Sequence, residues 1–134
     1  MVYIFNNARL VLCHIPAYDE FSLYPVLAEN VAGLVGEDGL NALFLNATYN
    51  TESPSEMGEL TYDTLMIPLK VNTISPIMLT KALLPLLKKA AEVNSSLPIG
   101  VHRAAIIFMS SIYGSINSNH TGRWWGFRES KVSF

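Results

Sequence analysis

Ala104-Ala105-Ile106-Ile107-Phe108-Met109-Ser110-Ser111, followed by a polar loop and then Phe127-Arg128-Glu129-Ser130-Lys131, is the stretch whose reading decides the fold. Its first six residues form a continuous apolar run, the pattern of a strand buried on both faces of a sheet. Two serines stand where the strand ends. Gly114, Ser115, Asn117 and Gly122 mark the loop that follows. A hydroxyl at the end of a buried strand, with a lysine returning to it one loop later, suits the chemistry of an open α/β sheet, because the carboxyl ends of its strands open into a crevice. Phe127 precedes Lys131 by one helical turn and has no proton to give.

A second continuous apolar run, Leu40 to Leu45, reads as another doubly buried strand and leads into Asn46-Ala47-Thr48-Tyr49. Between the two strands, Leu60 to about Glu92 reads as helix, with Leu60, Met66, Leu69, Ile74, Met78, Ala82 and Leu86 facing inward. Pro68 and Pro76 must break or kink it, since each removes an amide donor and crowds the preceding turn. Upstream, Asp19 can cap a helix to about Leu34 that turns Phe21, Tyr24, Leu27, Val31 and Leu34 to one side, and Gly36 to Gly39 close it. Arg9 to Ile15 is a third strand, and Val2 to Phe5, across an Asn-rich break, can pair with it as a hairpin. Strand, helix, strand, helix, strand and the start of a helix argue for an α/β fold with a parallel, doubly wound sheet. Gly33, Gly36 and Gly39 are no phosphate loop, because they close a helix instead of opening one after a strand.

Composition narrows the function classes. The 134 residues suit one domain, and 50% hydrophobic with 15% charged residues is a globular balance. A net charge of -2 with scattered Lys and Arg offers no basic field for nucleic acid. Met1 to Phe5 is too short for a secretory signal, and Val71 to Leu87 is too interrupted for a membrane span, so a cytoplasmic protein without membrane contact is expected. The sequons at Asn46, Asn94 and Asn119 then have no role. Cys13 reads as a small buried hydrophobe, and His14 has no second ligand at a metal spacing, so no metal site is expected.

The serine strand, the Phe127-x-x-x-Lys131 spacing and the Arg128-Glu129-Ser130-Lys131 wording resemble the short-chain dehydrogenase/reductase family, in particular its carbonyl reductases. Val71-Asn72-Thr73-Ile74-Ser75-Pro76 is similar to the family's asparagine-bearing helix, and Gly39 to Ala47 to its fourth strand. The resemblance runs from about Leu10 to Phe134 and implies a single partial Rossmann-like domain over 1–134 that lacks the family's first βαβ segment, its Gly-rich loop and its C-terminal strands. It also implies carbonyl reduction by hydride transfer from NADP or NAD, with a small carbonyl compound as substrate. In that scheme Ser111 bonds the substrate oxygen, Lys131 holds the cofactor ribose and assists the acid, Asn72 anchors a water relay, and Asn46 and Ala47 meet the cofactor. The acid is a tyrosine in the family, and Phe127 occupies its position here. Thr48 replaces a family glycine at the cofactor turn, and Pro16 stands where a carboxylate holds the adenine. Trp124 and Trp125 fall where the subgroup's substrate loop is aromatic.

Two readings stay open: an impaired oxidoreductase domain, and a non-catalytic relative that acts through protein contacts. In the family's strand order Arg9 to Ile15 has no neighbour here unless Val2 to Phe5 folds back on it or it slides to the open edge of Leu40 to Leu45. Self-association through an open sheet edge is expected otherwise.

Overall fold

The computed structural model describes residues 2–5, 8–12, 21–50 and 56–133. Cys13, His14, Pro16 and the Asp19 cap lie outside the described residues. The sheet has four strands in the order β1 (Val2–Phe5), β2 (Ala8–Leu12), β3 (Ala42–Leu45) and β4 (Ala105–Phe108). β1 and β2 form the antiparallel hairpin, with Phe5 opposite Ala8. β2 then runs parallel to β3, with Leu10 beside Ala42, and β3 parallel to β4, with Leu43 beside Ile106. Both ways of pairing the orphan strand are therefore used at once: it takes the edge of β3 and receives β1 on its other side. The fold is a partial Rossmann-like α/β arrangement whose parallel part is β2-β3-β4.

β3 is the centre. Leu43 and Leu45 pack with Tyr24, Val31 and Val35 of helix α1 (Tyr24–Val35) and with Leu79, Leu83 and Leu87 of helix α3 (Ser75–Val93). β4 departs from the expected doubly buried strand: Ile106 is 39% exposed. It is the last strand of the sheet, so one flank lacks the neighbour that covers β3.

Proline placement governs the helical stretch after β3. Thr61 caps helix α2 (Tyr62–Leu69) by accepting from the Thr64 amide, and the Thr64 hydroxyl accepts from the Thr61 amide in return. Pro68 lies inside α2, and a π-helical turn, Lys70–Ile74, links α2 to α3. A π-turn holds one extra residue, which rotates everything after it by about 100°. That rotation corrects the expected inward face. Ser75, Leu79, Leu83 and Leu87 are the fully buried set, the expected Met78, Ala82 and Leu86 pack partly buried against the same core, and Ile74 is exposed. In α1 the expected Leu34 is exposed and Val35 is buried, because the apolar stripe follows Tyr24, Ala28, Val31 and Val35.

Two glycines set close approaches. Gly39, at φ 72°, enters β3 against α3, where an added Cβ would lie 2.6 Å from the Leu86 carbonyl; the Leu40 amide donates to that same carbonyl at 3.0 Å. Gly126 lies in the first turn of helix α4 (Trp125–Val132), and an added Cβ there would meet the Thr64 carbonyl of α2. Pro68 has no amide to offer that carbonyl in the usual helical bond, so α4 closes against it. Gly126→Ala is expected to destabilise the chain by about 1–3 kcal/mol through overpacking. Gly33→Ala, in α1 with nothing within 4 Å of the new methyl, should instead stabilise it by about 0.4–1 kcal/mol. Urea unfolding of the two variants checks the contrast.

Candidate active site at the ends of β3 and β4

The π-turn places Asn72 beneath the exit of β3, where it is 2% exposed. Its Oδ1 accepts from the Tyr49 amide at 2.7 Å, and its Nδ2 donates to the Tyr49 carbonyl at 3.0 Å. The second Nδ2 hydrogen goes to Ser130 Oγ at 2.9 Å. Ser130 passes its own hydroxyl hydrogen to the Phe127 carbonyl at 2.8 Å, while the Thr73 hydroxyl donates to the Ser130 carbonyl at 2.9 Å. One amide side chain thus fastens the loop after β3 to α4. Both its hydrogens are spent on protein acceptors.

Lys131, far from being a solvated helix residue, is 3% exposed. Its Nζ donates to the Met109 carbonyl at 3.0 Å and to Thr48 Oγ1 at 3.1 Å, and no carboxylate pairs with it among the described residues. Burial without a counter-charge holds its pKa below the ordinary lysine value. An ammonium has three hydrogens, so one is left for a ligand. Thr48, read from the sequence as the replacement of a family glycine, places its hydroxyl on this amine.

Phe127 lies one helical turn before Lys131. It is 5% exposed, and the Lys131 ammonium lies 5.9 Å from its ring centroid. Ser111, half-buried after β4, caps the turn Ile112–Gly114 by accepting from the Tyr113 amide at 3.3 Å, which leaves its O–H free to donate. Ser110 turns the other way and donates to the Lys131 carbonyl at 3.3 Å. Asn46 is exposed and Ala47 half-buried just past β3. Asn72, Phe127 and Lys131 are thus joined in one network, to which Ser111 is linked through its neighbours Ser110 and Tyr113.

Two participants escaped the sequence reading. Ser130 is a polar residue on the buried side of α4, one turn after Phe127, and that position is its signal. Tyr113, two residues after Ser111, stacks on Trp124 with centroids 5.6 Å apart and meets Phe127 edge-on at 5.7 Å. Nothing in its loop marked it beforehand. Among the described residues no group of His, Cys, Asp and Glu gathers to hold a metal, and no helix is long and apolar enough to cross a membrane.

No protein-family model and no curated protein matches the chain. Solved structures do. The carbonyl reductase Sniffer of D. melanogaster is 44% identical over 90% of this chain and 48% of its own, with a TM-score of 0.84. The putative carbonyl reductase Sniffer of Caenorhabditis elegans is 32% identical over 89% of this chain and 50% of its own, with a TM-score of 0.75. An NADPH-bound carbonyl reductase from chicken fatty liver is 30% identical over 92% and 47%, with a TM-score of 0.76. The chain spans about half the length of these relatives.

In the unfolded chain the Lys131 amine titrates near its ordinary value of 10.5, whereas in the folded chain it releases its proton at lower pH. Between those two values the unfolded chain holds a proton that the folded chain has lost, so this group's contribution to stability rises with pH through that window. The stability of the native chain relative to Lys131→Met should therefore increase as the pH is raised toward 10.5 in urea unfolding, whereas a solvated lysine would give a flat difference. Across 90% of its length the chain is similar in fold and sequence to carbonyl reductases of the short-chain dehydrogenase/reductase kind.

Proposed function

We propose that residues 1–134 form one oxidoreductase-type domain of the carbonyl-reductase kind, with the groups that orient a nicotinamide cofactor and a carbonyl oxygen in place and an inert ring at the proton donor's position. The observation that carries this reading is the buried Lys131 amine, held by the Met109 carbonyl and Thr48 Oγ1 with one hydrogen to spare. NADP(H) is the cofactor class, by likeness to the NADPH-bound relative.

The residues fit the nicotinamide side of such a cofactor. Lys131 keeps one N–H beyond those given to Met109 and Thr48, the number needed to reach a ribose hydroxyl. Asn46 and Ala47 border the approach past β3. When bound, a reduced nicotinamide supplies the hydride. The chain's own part is to bind and orient. Ser111 donates its free O–H to the carbonyl oxygen, and Asn72 and Ser130 fix α4 so that Lys131 stays aimed into the site. Protonation of the resulting alkoxide has no side-chain donor at residue 127, since phenylalanine has no titratable hydrogen. Losing a general acid costs on the order of 10²- to 10⁴-fold in rate.

The alternative, a non-catalytic relative that acts through protein contacts, is favoured by the same ring. Nicotinamide fluorescence and NADPH oxidation with a simple diketone separate the two readings when the chain is compared with Phe127→Tyr. The oxidoreductase reading expects NADPH binding by both proteins and a rate that rises on the order of 10²-fold or more in the variant. Binding without any gain would contradict the assignment of residue 127. Absence of binding in both would support the non-catalytic reading.

A further inference from the structure

On the outer side of α4 a hollow of about 240 Å³ opens between the helix and the loop after β4, and neither Ser111 nor Lys131 lines it. Tyr113, Trp125 and Val132 supply flat and apolar walls, and Arg123, Arg128 and Glu129 supply the charges. Two guanidiniums outweigh one carboxylate there. We infer that this hollow is a binding site for a small aromatic carboxylate, a single ring bearing one anionic group; the inference is independent of the reading of residues 111, 127 and 131.

The walls are preformed. Trp124 stacks on the Tyr113 ring at an interplanar angle of 25°, and the Arg128 guanidinium lies 5.0 Å from the centroid of that ring. Arg128 Nε donates to the Arg123 carbonyl at 3.1 Å, so its base is fixed while its terminal amino groups have no protein acceptor among the described residues. A guanidinium held this way presents the planar fork that a carboxylate accepts in two parallel bonds. Arg123 and Trp124 both sit in the left-handed region, at φ 63° and 57°. Each such residue costs on the order of 1 kcal/mol, and strain of this sort gathers where a ligand is clamped. The preceding turn is held by the Gly122 amide, which donates to Asn119 Oδ1 at 3.0 Å. Size sets the class. Pockets for drug-sized ligands run from roughly 300 to 1,000 Å³, so this hollow takes one ring with its carboxylate and little more.

Trp124 and Trp125 are the two tryptophans of the chain; Trp125 lines the hollow and Trp124 stacks on its Tyr113 wall, which makes indole emission a local reporter. The native chain is titrated with sodium benzoate, with benzyl alcohol as the neutral ring and with acetate as the charge without a ring. Benzoate should change the emission saturably and bind at least tenfold more tightly than either control. Arg128→Gln should remove that advantage and Glu129→Gln should increase it, with unchanged far-UV circular dichroism. If Arg128→Gln fails to fold, the exposed Arg123→Gln takes its place, and the three-ligand comparison on the native chain stands by itself. Equal titrations by benzoate and benzyl alcohol, the absence of a saturable change, or full benzoate affinity in a folded Arg128→Gln protein would overturn the inference.

Discussion

The Asn72 side chain is the constraint on which the rest of the site depends. A primary amide offers two hydrogens and an acceptor oxygen, and this one spends them on both backbone groups of Tyr49 and on Ser130 Oγ. Those partners belong to segments far apart in sequence: the loop leaving β3 and the helix carrying Phe127 and Lys131. Buried polar groups left without partners cost about 1–3 kcal/mol each, so the three bonds stand or fall together. Asn72 reaches both segments because Lys70–Ile74 is a π-turn. In an uninterrupted α-helix the residues after position 70 would be turned by about 100°, and Leu79 and Leu87 would no longer stand at the centre of the buried face.

Given that frame, a small number of side chains decide what the site can do. Lys131 is carried into the interior with only a hydroxyl and a carbonyl as acceptors, and burial lowers its pKa. A neighbouring phenol would gain acidity from such a cation, but the neighbour is Phe127. The ring conserves the packing that a tyrosine body would provide and contributes no ionisable group. The same helix turns its other side outward, where Trp125, Arg128 and Val132 border the hollow beside Tyr113. One short helix therefore separates two environments of different chemistry.

Much of this was legible in the sequence. The continuous apolar runs located β3 and β4, the glycines after α1 located its end, and Phe127 and Lys131 were placed on one helix. Other features were not legible, for physical reasons. Periodicity assumes an unbroken helix, so with the π-turn the centre of the buried face falls on Leu79 and Leu83, with Met78 and Ala82 packed at its margin. Apolar content alone could not show that β4 ends the sheet and leaves Ile106 partly exposed. Strand pairing depends on which edges are vacant, and the place of β2 beside β3, with β1 folded back on it, became definite only in three dimensions. Ser130 was read only as part of the Arg128 to Lys131 wording and Thr48 as the replacement of a family glycine, but their hydroxyls are partners of Asn72 and Lys131.

The claim that Asn72 couples the β3 exit to α4 is tested most directly by a double-mutant cycle. Urea unfolding is measured for the native chain, Asn72→Ala, Ser130→Ala and the double variant. A direct bond between two buried side chains predicts a coupling energy of about 1 kcal/mol or more, with the double variant less destabilised than the sum of the single ones. Additivity to within about 0.3 kcal/mol would show that the two residues act independently and that the site is held together by something else.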